Sequence, residues 1–124
     1  MNTEPDREVV QEFERAGGSG PRYGKVTVVF ADSMDEAKRI AKERWPNTAL
    51  GGSLSVDLAL PADFEAAAEL VREEDLEDAI VLGTDLDQVR AQIQAFEDAG
   101  FTHVAVHDIT QRQHEFIEFA KQLL

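Results

Sequence analysis

Between Ala79 and Ile109 the spacing of apolar positions changes period twice. Ala79 to Leu82 is a short continuous apolar run with β-branched Ile80 and Val81, closed by Gly83, and it reads as a strand. Leu86, Val89, Ile93 and Phe96 then recur at three- and four-residue steps, forming one stripe of an amphipathic helix. Thr84 or Asp85 supplies the short side-chain oxygen that caps this helix, and Gly100 suits the left-handed turn that ends it. From Thr102 to Val106 the pattern is extended again. Two strands this close, joined by one helix, run parallel, so the stretch predicts a βαβ unit.

The same reading extends to the rest of the chain. Residues 5 to 16 predict a first helix, with Pro5 in its opening turn, Val9, Val10 and Phe13 on a narrow apolar face, and Gly17-Gly18 as the stop. Lys25 to Ala31, KVTVVFA, has few polar interruptions and fits a strand in a sheet covered on both faces. Ser33 and Glu36 form a capping box, and the helix they open places acids first and bases last, in accord with its dipole. Met34, Ala37, Ile40 and Ala41 are its inner face, and Trp45-Pro46 closes it. Asn47 to Leu60 lacks a period and holds Gly51-Gly52, so it predicts an irregular excursion. Pro61 opens another helix, with Phe64, Ala67, Ala68 and Val71 at helical spacing. The acidic run Glu73 to Asp78 reads as a solvated connection. Thr110 to Gln113 is a second capping-box candidate, ahead of a helix with the stripe Phe116, Phe119, Ala120 and Leu123. The whole is one α/β domain over 1–124: an N-terminal helix at 1–16, a glycine-rich linker at 17–24, and the body at 25–124.

Charge narrows the partners. The chain has 25 acidic and 12 basic residues, a formal charge of -13, against a magnitude of roughly 2–8 for an ordinary small domain. Such a surface repels nucleic acid and anionic membranes, which discounts both as partners. A dense carboxylate coat also suits a high-salt cytoplasm, where screening is strong. The absence of cysteine removes disulfides, thiolate catalysis and cysteine metal sites. The acidic start, MNTEPDREVV, does not read as a signal peptide, and no apolar run approaches the roughly 20 residues of a membrane span. The expectation is a cytoplasmic protein.

Candidate chemistry is sparse. His103 and His107 fall on one side of the last strand but about 13 Å apart, too far to share a metal ion, and no HExxH or carboxylate-rich metal loop is present, so no metal site is expected. His107 stands out by position, at the carboxyl end of a parallel strand, where ligands bind in open α/β sheets and barrels alike. Gly83 and Thr84 lie in a glycine turn before a helix, which offers backbone amides to an anion, although Asp85 and Asp87 oppose one. Arg112 is placed to meet an anion at the mouth of the last strand. The ligand-binding candidates are therefore His107, Arg112, Gly83 and Thr84. No nucleophile–base pair, GxGxxG or P-loop is readable, so no catalytic residue is named.

Four pieces of the chain occur in a telling order: GGSGPRYGKVTV (Gly17 to Val28), ERWPNTAL (Glu43 to Leu50), PADFEAAAELV (Pro61 to Val71) and DAGFTHVAVH (Asp98 to His107). On these, residues 17 to 124 resemble the C-terminal third of the luciferase-like flavin and deazaflavin oxidoreductases. The particular group is the one containing coenzyme F420-dependent glucose-6-phosphate dehydrogenases. The resemblance implies a (β/α)8 TIM barrel in which this chain supplies the last strands, the excursion before the seventh and the closing helices. It also implies F420 as cofactor and hydride transfer to or from a small organic substrate. Members run to roughly 300 residues, within the usual barrel range. The portion implied to hold the deazaflavin and the catalytic groups is thus absent from the chain. The turn after the last strand in relatives is Gly-Pro-Asp-Gln-like, whereas here it is Thr110-Gln111-Arg112-Gln113. The approach to Ala79 is acidic where a sugar phosphate would need bases, so that substrate is not assigned.

Two expectations follow. The chain is a fragment or shortened relative of an F420-dependent oxidoreductase, or it is a non-catalytic, stand-alone α/β module that binds a partner or small ligand. Strands cut from a closed barrel leave unpaired edges, so a homodimer, or pairing with the missing N-terminal barrel portion, is expected.

Overall fold

Strand β1 (Tyr23–Val29) carries apolar side chains to both of its faces, and the architecture follows from covering them. The computed structural model describes residues 1–50, 54–77, 81–82 and 85–123. A parallel three-stranded sheet has the order β2-β1-β3, with β2 at Val81–Leu82 and β3 at His103–Asp108. Around it, in chain order, lie helices α1 (Arg7–Arg15), α2 (Met34–Arg44), α3 (Leu54–Asp57), α4 (Pro61–Glu69), α5 (Leu86–Ala99) and α6 (Gln113–Ala120). Short 3-10 turns occur at Pro46–Ala49, Glu73–Leu76 and Lys121–Leu123.

The expected α/β class with parallel crossovers is what the chain adopts. Its strand order adds a feature that periodicity does not show: β1 lies between the two strands of the β2–α5–β3 unit. An arc of a closed barrel would keep successive strands side by side with helices on the outside only. Here Val26, Val28 and Phe30 join a core with Val89 and Phe96 of α5, Phe119 of α6 and Val10 of α1. On the opposite face Val29 and Ala31 pack with Ala37 and Ala41 of α2, Val71, Leu76 and Ile109. Val28 and Val29, neighbours pointing opposite ways, are both fully buried, as a strand apolar on both faces requires.

Element ends differ by a few residues from the sequence reading, each for a local reason. Helix α1 begins after Pro5, because the Asp6 carboxylate caps it by accepting from the Glu8 amide at 2.8 Å. Val10 is its only buried residue, while Val9 and Phe13 stay exposed. Strand β1 starts at Tyr23 and so takes in Gly24, where a Cβ would meet the Phe96 ring at 2.4 Å. Ser33 caps α2 as expected, accepting from the Glu36 amide at 3.2 Å, but Glu36 reaches back to the amide of Asp32 rather than of Ser33. Asp85 caps α5, accepting from the amides of Asp87 and Gln88, and Gly100 ends it at φ 100°. The Ala79 and Ile80 half of the predicted second strand, and Gly51-Gly52, lie outside the described residues.

Two expectations are corrected. The acidic run is not a free solvated connection: Leu76 within it is fully buried, Arg72 pairs with Asp75 at 2.7 Å, and Lys38 of α2 forms an ion pair with Glu77. Nor does Thr110 open a capping box, since α6 begins only after Arg112. The Thr110 hydroxyl is used locally, donating to the Asp108 carboxylate at 2.6 Å and accepting from the Arg112 amide at 3.2 Å.

Candidate functional site

In an open parallel sheet, ligands bind outside the carboxyl ends of adjacent strands whose following helices pass to opposite faces. That condition is met between β1, followed by α2 on one face, and β3, followed by α6 on the other. The side chains gathered there are Asp32, Asp108, Thr110, Arg112 and Glu115. The Asp108 carboxylate accepts from the Phe30 amide at 3.1 Å and from the Thr110 hydroxyl, which ties the end of β3 to the end of β1. The Arg112 guanidinium lies 5.1 Å from the centre of the Phe30 ring and donates to Asp32 at 2.9 Å and to Glu115 at 2.9 Å. Hydrogen bonding to Glu115, then to Asp32, pushes the Arg112 pKa further up from its already high value. Two carboxylates thus already neutralise the cation that the sequence offers to an anion. The crevice fills itself.

His107 sits elsewhere. It is in register with Thr27 on the α2 side of the sheet, with its ring 5.3 Å from that of Trp45 at an edge-on 72°. Its Nδ1 is buried and has no hydrogen-bond partner among the described residues. A cation also meets this tryptophan: the Lys25 ammonium lies 5.7 Å from the centre of the Trp45 ring. His103, at the start of β3, is exposed, with Nδ1 2.8 Å from the Thr102 hydroxyl and its ring stacked near Tyr23. His114 is exposed on α6.

Beside Trp45 a cleft of about 520 Å³ opens along β1 between the N-terminal segment and β2. Lys25, Thr27, Trp45, Asn47, Glu77 and Gln88 contribute to its walls. Neither His107 nor Arg112 lines it. The structure therefore does not bring the sequence candidates into one pocket, and Gly83 and Thr84 lie outside the described residues. In the sequence Trp45 served as a helix stop and as part of a family-like piece, and neither it nor Lys25 stood among the ligand-binding candidates. The available signal was a lone tryptophan, the chain's only one, placed just after a helix that leaves the central strand. Among the described residues no group of three or more His, Asp or Glu is placed to hold a metal ion, and no helix is long and apolar enough to cross a membrane.

No family model matches the chain, and no curated protein matches it. Solved structures do. An F420-dependent secondary alcohol dehydrogenase in complex with an F420–acetone adduct superposes with a TM-score of 0.70 at 17% identity, over 93% of this chain and 36% of that one. The likeness is one of fold. Apo-MsnO8 superposes with a TM-score of 0.49 at 24% identity, over 94% of this chain and 39% of that one. The chain spans little more than a third of the length of these solved structures.

Proposed function

We propose that this chain is a piece or shortened relative of an F420-dependent oxidoreductase of the luciferase-like kind. In it, hydride would pass between the deazaflavin and a small organic substrate. The observation that supports the reading is the 93% coverage of this chain by an F420-dependent alcohol dehydrogenase, at 36% of that protein's length. Bound F420 would supply the hydride chemistry, and the protein would supply orientation and exclusion of water. The residues present do not by themselves fit such an anionic cofactor. Lys25 shares the lining of the cleft with the carboxylates Glu4 and Glu77, and at the strand ends Arg112 is already held by Asp32 and Glu115. No catalytic step is therefore assigned to this chain alone, and of these candidates only His107, beside Trp45, is proposed as a wall residue of a site completed by other residues. The reading carries with it a cytoplasmic location.

The test is titration of oxidised F420 followed by its fluorescence, with hydride transfer to and from secondary alcohols and ketones followed by its absorbance. The chain alone is expected to show no saturable binding and no turnover. Both are expected to appear when it is combined with the product of an adjoining reading frame that encodes the rest of the fold. Turnover by the chain alone would overturn the reading in favour of an autonomous enzyme. Silence with every adjoining product would favour a second reading, a non-catalytic α/β module. The self-neutralised Asp32–Arg112–Glu115 cluster supports that alternative, because a site kept for an anionic ligand has no use for two carboxylates on its cation.

A further inference from the structure

Strand β3 is an edge strand, paired with β1 on one side and with no described strand on the other. Its hydrogen-bond phase is fixed by the bonds it makes inward. The His103 amide donates to the Arg22 carbonyl at 3.1 Å and the Ile109 amide to the Val28 carbonyl at 3.2 Å. In a parallel pair, alternate residues turn both backbone groups to one neighbour. His103, Ala105 and His107 therefore face β1, and the N–H and C=O of Val104, Val106 and Asp108 point outward. No described residue bonds these six groups. A row of free donors and acceptors on a six-residue edge is a template for another strand.

We propose that the occupant is β3 of a second copy, running antiparallel across a two-fold axis at Val106. The register follows by counting. A two-fold axis perpendicular to a sheet keeps each side chain on its own face, so opposed residues differ by an even number. Centred on Val106, the pairing opposes Val106 to itself and Val104 to Asp108 in both directions, and all six outward groups of each strand are used. Centred on Ala105, only Val104 and Val106 find outward-facing strand partners, and the groups of Asp108 are left over. The Val106 register is thus the one that fills the edge.

Side chains and charge agree with it. Val104 and Val106 are half-buried and already pack against the α5–α6 core, so the pairing would continue that core across the axis. The stretch from Phe101 to His107 has no carboxylate in a chain of net charge -13, so two copies meet where their repulsion is least. The single acid of the strand, Asp108, is already engaged by Phe30 and Thr110. The surface is isologous, as a closed dimer requires, and the two three-stranded sheets become one of six strands.

The test reads mass, cross-linking and amide protection on the full chain. Sedimentation in moderate KCl is expected to move from the 13.8 kDa monomer to twice that mass as concentration rises. Val106→Cys is expected to form a disulfide-linked dimer on mild oxidation. Opposed residues of a hydrogen-bonded antiparallel pair lie about 5.5 Å apart, within disulfide reach, and the chain has no other cysteine to confuse the result. Ala105→Cys, opposed to His107 of the partner rather than to itself, is expected to cross-link far less. In wild type the amides of Val104, Val106 and Asp108 should gain hydrogen-exchange protection with concentration, while those of β2 should not. A monomer at every concentration and salt, with a folded Val106→Cys variant that does not cross-link, would overturn the proposal. Equal cross-linking at positions 105 and 106 would overturn the register, and pairing only with a different chain would overturn the choice of occupant.

Discussion

Leu76 shows how far a single residue departs from its neighbourhood in sequence. It sits among Glu73, Glu74, Asp75 and Glu77, yet it is fully buried against Val29, Ala37 and Ala41. Truncating a buried leucine removes its transfer free energy and leaves a cavity that the surroundings refill only in part. Leu76→Ala is expected to lower stability by about 2–5 kcal/mol, read from urea unfolding, whereas Leu70→Ala, at an 83% exposed neighbour, should change it little. Gly24 is the matching case of a residue chosen for its lack of side chain. Its backbone lies under the Phe96 ring, so even a methyl group would displace one of the largest buried side chains.

At the scale of elements, the turn that carries Leu76 is held by Arg72 and Asp75. The Asp75 carboxylate accepts from the Arg72 guanidinium at 2.7 Å and from the Arg72 amide at 2.9 Å. Those bonds, the side-chain bond above all, hold its pKa below the ordinary 3.8. A carboxyl whose pKa is lower folded than unfolded contributes its full stabilisation above the unfolded value. The contribution is lost as pH falls through the folded value, because both states are then protonated. Asp75→Asn should therefore be less stable than wild type at pH 7, with the gap narrowing by pH 3 in paired thermal melts. A gap constant across that range would mean the turn owes nothing to the ionised carboxylate. Arg72 is solvent-exposed and Asp75 half-exposed, so the effect is small and shrinks further in salt.

For the molecule as a whole, the excess of carboxylates outweighs any one pair. Repulsion among 25 acids facing 12 bases acts on the compact state, and mobile ions screen it over about 8 Å at physiological ionic strength and about 3 Å at 1 M. If the coat is an adaptation to high salt, the melting temperature rises steeply between low and multimolar KCl. A flat profile would leave the charge without that explanation. Added salt should also strengthen the pairing of β3 edges, since it relieves the same repulsion between copies.

The sequence by itself determined which segments are helix and which are strand wherever the signal is local. The stripe of α5, the Asp85 and Ser33 caps, the left-handed Gly100 and the two-sided apolar run of β1 all depend on residues within a turn or two of each other. It also pointed to the parallel sense of the strands, because a helical crossover is the connection that parallel strands require. Tertiary structure alone decided that β1 sits between β2 and β3, since nothing in a strand's pattern names its neighbours. It likewise decided the fate of the candidate site. Asp32 lies 80 positions from Arg112, so of the two carboxylates that hold this cation only Glu115 is near it in sequence, and His107 and Arg112 read as companions because they are five positions apart. Folding put the first pair together and assigned the second to different surroundings, His107 beside Trp45 and Arg112 over Phe30. Charge pairing and packing act through space, and a chain read in order shows only the partners that lie close along it.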